Sequence, residues 1–251
     1  MPMNKTIVVC AILAGFALAV PAYAQDKAPS QGKAPSTTLN IGVTMTDGNS
    51  ETMQANASLV TEGEKEGLGS VRAGAEANYG ESSVKGTNST TINNARLFGN
   101  AKKTITARLF GYLDASVLND DIADIDYRAM IGPGLGVFLV KNEKTSLSVE
   151  AGPSYLWEKV AGESDNYLTV RFAERIDQTL GSSAKAWQSA EYLPRTEDFG
   201  DYLLNAELGV ESAMTESVSL RIVLQEKYDS TPGADLKKSD LTLIGGISVK
   251  L

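Results

Sequence analysis

The chain has 251 residues, a formal net charge of −8, one cysteine and no histidine. That composition removes the usual zinc, haem and thiol sites and every histidine-based triad. The acidic balance also argues against nucleic acid, which demands neutralising positive charge.

Residues 1–24 read as an export signal. Lys5 supplies the positive start, and Ile7 to Val20 form an apolar run. The run is shorter than the ~20 residues a spanning helix needs. Pro21 ends it, and Ala22-Tyr23-Ala24 gives the small-x-small pattern for cleavage before Gln25. Cys10 lies inside this segment, so the exported chain holds no cysteine and no disulfide. Residues 25–36 are rich in Pro, Ser, Gly, Lys and Ala, have nothing to bury, and read as a flexible periplasmic leader.

From residue 37 to Leu251 the chain alternates apolar and polar residues in short runs separated by turns. Period two means strands. Twelve are expected, at 38–46, 52–61, 68–79, 90–99, 104–117, 126–140, 145–159, 166–177, 184–194, 202–212, 217–228 and 239–251. In the fifth, Ile105, Ala107, Leu109, Gly111, Leu113, Ala115 and Val117 share one face against Thr104, Thr106, Arg108 and Asp114. Asn93-Asn94 interrupts the fourth. Pro133 cannot donate a ladder hydrogen bond, so a bulge is expected there, in one patch with Pro153.

These strands are longer than the five or six residues usual in soluble sheets and fit the nine to eleven or so that a tilted strand needs to cross a bilayer. Twelve is also an even number, as single-chain bacterial barrels require. Links before the odd strands are short, and those after them are generally longer, at 80–89, 118–125, 160–165, 195–201 and 229–238, with the short Asp47-Gly48-Asn49-Ser50 as the exception. Outer-membrane barrels show that asymmetry, with short turns in the periplasm. The expected fold is all-β: a 12-stranded antiparallel up-and-down transmembrane β-barrel over 37–251, with both termini periplasmic. A soluble periplasmic β-sandwich that binds a lipid or polymer is the rival fold.

Charges opposite the apolar face are costly in lipid and tolerable in a wet or ion-paired lumen. Arg72, Arg108, Arg128, Glu150, Arg171, Glu207 and Arg221 are therefore expected to face the lumen, and Leu109, Leu135, Val170, Leu208 and Ile222 the lipid. Tyr79, Tyr112, Tyr127, Trp157, Tyr167, Tyr192, Tyr202 and Tyr228 lie near strand ends, where interfacial girdles form.

Little in the sequence points to chemistry. The acidic run 119–126 lacks the spacing of a calcium loop and reads as a solvated turn. Gly132-Pro133-Gly134-Leu135-Gly136 lacks the Lys-Ser/Thr ending and following helix of a phosphate loop. Glu150 and Glu207 are more readily explained as ion-pair partners than as an acid/base pair. No enzyme activity, catalytic residue, metal or cofactor is expected. The expected partners are outer-membrane lipid, lipopolysaccharide and the barrel-assembly machinery.

Gly48-Asn49-Ser50-Glu51, Asp126-Tyr127-Arg128 before the Gly132–Gly136 strand, Glu150-Ala151-Gly152-Pro153-Ser154-Tyr155, and Tyr228-Asp229-Ser230-Thr231-Pro232 before Lys237-Lys238-Ser239-Asp240-Leu241-Thr242-Leu243 together resemble a proteobacterial family. It is the salt-induced outer-membrane protein family, also known as domain-of-unknown-function family 481 and typified by YdiY. The likeness spans 38–251, and its motifs are structural glycines and turns. It implies an outer-membrane location and a role in envelope stress, and it supplies no catalytic residue. The function expected is a structural or poorly conducting barrel of the cell envelope, with a porin-like passage for small solutes as the alternative.

Overall fold

The computed structural model describes residues 35–46, 51–65, 68–84, 87–233 and 236–251. The expected export signal, and all of the leader except Pro35 and Ser36, lie outside those residues. Twelve strands follow in chain order: β1 Ser36–Thr46, β2 Glu51–Lys65, β3 Gly69–Val84, β4 Thr87–Thr104, β5 Leu109–Asp120, β6 Ile125–Lys141, β7 Thr145–Val160, β8 Glu163–Leu180, β9 Ala184–Pro194, β10 Tyr202–Ala213, β11 Val218–Asp229 and β12 Ser239–Lys250. Each pairs antiparallel with the next, and β1 pairs with β12, so the sheet closes into a barrel. This is the expected 12-stranded up-and-down barrel.

The alternation sets the two faces of the wall. On β5, Leu113 and Val117 are exposed while Phe110 and Tyr112 are buried. The outward residues of other strands are equally bare, with Leu97 62 %, Leu135 57 % and Leu243 63 % exposed. A belt of that size on a water-soluble domain would be covered; around a barrel it is the lipid-facing surface. The outward parity is interrupted on β8 and β9, where Glu174 and Gln188 satisfy each other by a hydrogen bond. No helix among the described residues is long and apolar enough to cross a membrane.

Three expectations are corrected. First, 105–108 is a turn, so β4 runs to Thr104 and β5 begins at Leu109. Ile105 and Thr106 donate backbone hydrogen bonds to the Leu109 carbonyl, and Thr106 Oγ1 accepts from the Arg108 and Leu109 amides. The threonine hydroxyl captures amides that a strand would have used. Second, several expected long links are strand. Only residues 85 and 86 separate β3 from β4, and 161 and 162 separate β7 from β8. Those hairpins continue as polar ribbons, and 195–201 and 230–238 are the longer connections. Third, the prolines cause no bulge. Ile131 pairs with Tyr155 and Leu135 with Ala151, one unbroken register that sets Pro133 opposite Pro153. Neither proline has an N–H to donate, so the ladder opens locally without slipping.

Candidate functional site

The site is the lumen. Its wall repeats one local arrangement: a large inward ring lies flat over a glycine of the neighbouring strand. Phe98 covers Gly74, Phe110 covers Gly136, Tyr112 covers Gly134, and Trp187 covers Gly209; a Cβ at any of these glycines would collide with the ring. A ring laid over glycine keeps its bulk against the wall.

A cation then stacks on each ring. Arg72 and Arg96 lie 5.0 and 5.4 Å from the Phe98 centroid, Lys102 4.8 Å from Phe110, Arg171 5.1 Å from Tyr112, and Arg221 5.1 Å from Trp187. Such contacts stabilise by about 0.5–2 kcal/mol, more as water is excluded. Arg171 is also held at both ends: Nη1 donates to Glu150 at 2.7 Å and Nε to Glu191 at 2.5 Å. Glu150 in turn takes Lys102 Nζ at 2.6 Å. Beyond this cluster, Arg128 reaches Glu158 at 2.5 Å and Asp229 at 3.1 Å. The second contact joins β6 to β11, across the lumen. Glu207 accepts from Trp187 Nε1 at 2.5 Å and Gln225 Nε2 at 2.9 Å. Glu150 and Glu207 thus bind separate partners.

The filling is uneven. On the β6–β10 side, Met130, Leu156 and Leu193 form an apolar cluster with Tyr167 and Leu203. Toward the 195–201 end, the inward residues of β1–β4 and β11–β12 include Thr44, Gln54, Asn56, Asn78, Asn94 and Gln225. There a 460 Å³ cavity opens at the end bearing 195–201 and 230–238, lined by Gln54, Asn56, Asn78, Asn94, Gln225 and Lys227 among others. Asn56, Asn78, Asn94 and Asp120 occupy successive positions of one cross-strand row, and Asn78 donates to Asn94 at 2.8 Å.

Six of the seven charges assigned to the lumen from the sequence lie on inward strand positions: Arg72, Arg128, Glu150, Arg171, Glu207 and Arg221. Arg108 does not; it sits in the exposed 105–108 turn. Leu135, Val170, Leu208 and Ile222 hold outward positions in the wall, while Leu109 stands at the first residue of β5, beside that turn. Tyr112 and Tyr167, assigned to the girdle, face inward. Their parity carried the signal, since Tyr112 alternates with Leu113 and Tyr167 with Leu168. Tyr192, Tyr202 and Tyr228 do form an outer row, with centroids 5.2 and 5.6 Å apart. The sequence reading passed over Lys102, Glu191 and Asp229, whose roles depend on partners from other strands.

At the rim of the lumen, past the end of β9, Arg195 gathers Asp165 at 2.7 Å, Asp201 at 3.0 Å and the Tyr167 ring at 3.5 Å. In the 121–124 turn, Asp120 Oδ1 accepts from the Ala123 amide and Asp121 from Asn93. Among the described residues, no group of three or more His, Cys, Asp or Glu side chains could hold a metal.

A model of the family described as "Protein of unknown function, DUF481" matches residues 39–250, nearly the whole barrel. The chain belongs to the DUF481 family. With its closed wall and apolar belt, this DUF481 member is an outer-membrane β-barrel protein. A comparison with curated proteins finds no match. Among solved structures, the NanC porin is similar at a TM-score of 0.52 and 13% identity, covering 85% of this chain and 100% of that one. The KdgM porin in complex with disordered oligogalacturonate gives 0.46 and 8%, covering 87% and 99%. The translocator domain of the autotransporter NalP from Neisseria meningitidis gives 0.43 and 14%, covering 98% and 95%. The NanC likeness shows a shared barrel fold.

Proposed function

We propose that this DUF481 barrel is a narrow, weakly conducting passage for small polar solutes across the outer membrane. One observation carries the reading: the 460 Å³ cavity inside the closed wall, into which the amides Gln54, Asn56, Asn78, Asn94 and Gln225 are set. Twelve strands enclose more room than eight, whose interior side chains largely fill. The purely structural reading leaves this cavity unexplained. The ion pairs that cross the lumen keep the passage narrow, and its mixed charge gives weak ion selectivity. Support for a porin-like role also comes from the fold shared with the NanC porin.

The orientation follows from the connections, with 195–201 and 230–238 outside the cell and both ends of the barrel chain in the periplasm. Residues 1–24 serve as the export signal and 25–36 as the periplasmic leader. Lipopolysaccharide surrounds the outer rim, and the barrel-assembly machinery inserts the chain. Mass spectrometry of protein purified from envelopes checks the processing, with Gln25 as the expected first residue.

Liposome swelling tests the passage. Vesicles carrying the barrel swell faster than protein-free vesicles in glycine or glucose and no faster in raffinose. Equal rates with and without protein for every solute exclude the reading.

A further inference from the structure

The wall is not sealed along its whole height. β1 pairs with β2 from Ser36↔Glu62 to Thr46↔Thr52, and β11 with β12 from Val218↔Val249 to Tyr228↔Ser239. Where the barrel closes, pairing between β1 and β12 runs only from Thr38↔Lys250 to Gly42↔Gly246. Among the described residues, Val43–Thr46 and Ser239–Gly245 then face each other with no ladder between them. Unpaired strand edges are expensive in hydrocarbon, because lipid offers backbone groups no hydrogen bond.

The lumenal cavity reaches this place. Its lining includes the inward residues Thr44, Thr242 and Ile244, and also the outward residues Ala55, Leu241, Leu243 and Gly245. Residues of both parities border the cavity here, so it abuts the unpaired backbone between β1 and β12. Below the gap, Gly42 and Gly246 bring the two backbones so close that a Cβ on either would strike the other strand. The seam is therefore tight near the chain ends and open toward the longer connections.

The chemistry changes through the opening. Toward lipid stand Leu241, Leu243 and Met45. Toward the lumen stand the amides Gln54, Asn56, Asn78 and Asn94, each able to donate and accept. Lys227 and Asp240 are directly opposite each other on β11 and β12, and Asp120 and Lys237 add one charge of each sign, so the lining carries no net charge. The lining suits an uncharged, hydroxyl-rich head inside and an apolar chain outside. The volume falls within the roughly 300–1,000 Å³ of ligand pockets.

We infer that the unpaired segment between β1 and β12 is a lateral port, through which an amphiphile with an uncharged hydrogen-bonding head and a single apolar chain passes between the outer leaflet and the lumenal cavity. The port goes beyond the solute passage and does not require the barrel to conduct.

A photoreactive alkyl glucoside, with the diazirine in its chain, tests the port on the full barrel in nanodiscs. Adducts mapped by mass spectrometry are expected at Leu241 and Leu243 and also at the lumenal Ile244 and Ile92. A Thr44→Cys/Ile244→Cys variant, in which these are the only cysteines after export, is run reduced and oxidised on the same preparation. Oxidation that links the pair lowers the lumenal adducts severalfold and leaves those at the outward Leu135 unchanged. An Asn56→Leu variant, which keeps the seam, lowers them as well. Adducts spread evenly round the outer belt with none inside the barrel overturn the port, whatever the conductance. So does lumenal labelling unaffected by the disulfide. A silent bilayer recording with lumenal labelling would instead remove the solute passage and leave the port standing.

Discussion

The Tyr112 ring lies flat across Gly134, and its position leaves no space for a Cβ on that glycine. Arg171 stacks on the same ring, so one small residue on β6 sets the place of a cation that bridges β7 and β9. Gly134→Val pushes the ring into the lumen and pulls Arg171 off its carboxylates. Overpacking of this kind costs about 1–3 kcal/mol. Urea titration of the barrel folded into thin bilayers should show that loss, and a variant as stable as the parent contradicts the packing.

The belt is tested by placing charge on it. Leu135→Arg stands in the middle of β6 on the outward face and should cost about 2–4 kcal/mol. Leu109→Arg should cost far less, because Leu109 begins β5 beside the 105–108 turn. The same titration on both variants reads the difference, and equal effects would mean that one of the two depths is wrong.

In the lumen, Glu150 is the single carboxylate between Lys102 and Arg171. Glu150→Gln leaves both cations short of charge in a site with little water, where breaking a pair costs about 3–5 kcal/mol. Replacing both Arg171 and Glu150 by Met recovers a large part of that loss. A double-mutant cycle measures the coupling; additive effects would separate the two residues.

The sequence carried the strand count, the closure and the two faces, because a wall between lipid and lumen enforces period two on every strand. Other features were not legible. The 80–89 stretch reads as a link by composition, yet 80–84 continue β3 and 87–89 begin β4 as a polar ribbon, since beyond the membrane neither face need be apolar. Thr104–Thr106 alternates as well as any strand, and a single hydroxyl turns it. Partners such as Arg128 and Asp229, 101 residues apart, meet only through closure. The open seam leaves no mark in residue type, since β1 and β12 alternate on both sides of Gly42 and Gly246.

Beyond the aromatic row, the Arg195 hydrogen bond holds the Asp165 carboxyl below its usual range. A carboxylate with a lowered folded value adds stability above about pH 4 and loses it as pH falls through that folded value. The 195–201 connection should therefore loosen in acid before the wall does. Hydrogen exchange at neutral pH and near pH 3 checks this, with faster exchange in 195–201 and unchanged protection in β6 and β7. Asp165→Asn should give the acid pattern already at neutral pH.

Single-channel recording in planar bilayers, on the parent and on Gln54→Trp, tests the central claim most directly. Gln54 lines the cavity from β2, and the larger ring fills the free side of the lumen. The passage predicts small, reproducible conductance steps for the parent and smaller or absent steps for the variant at equal folded yield. Silence of the parent across a wide voltage range, or steps that the tryptophan leaves unchanged, would contradict it.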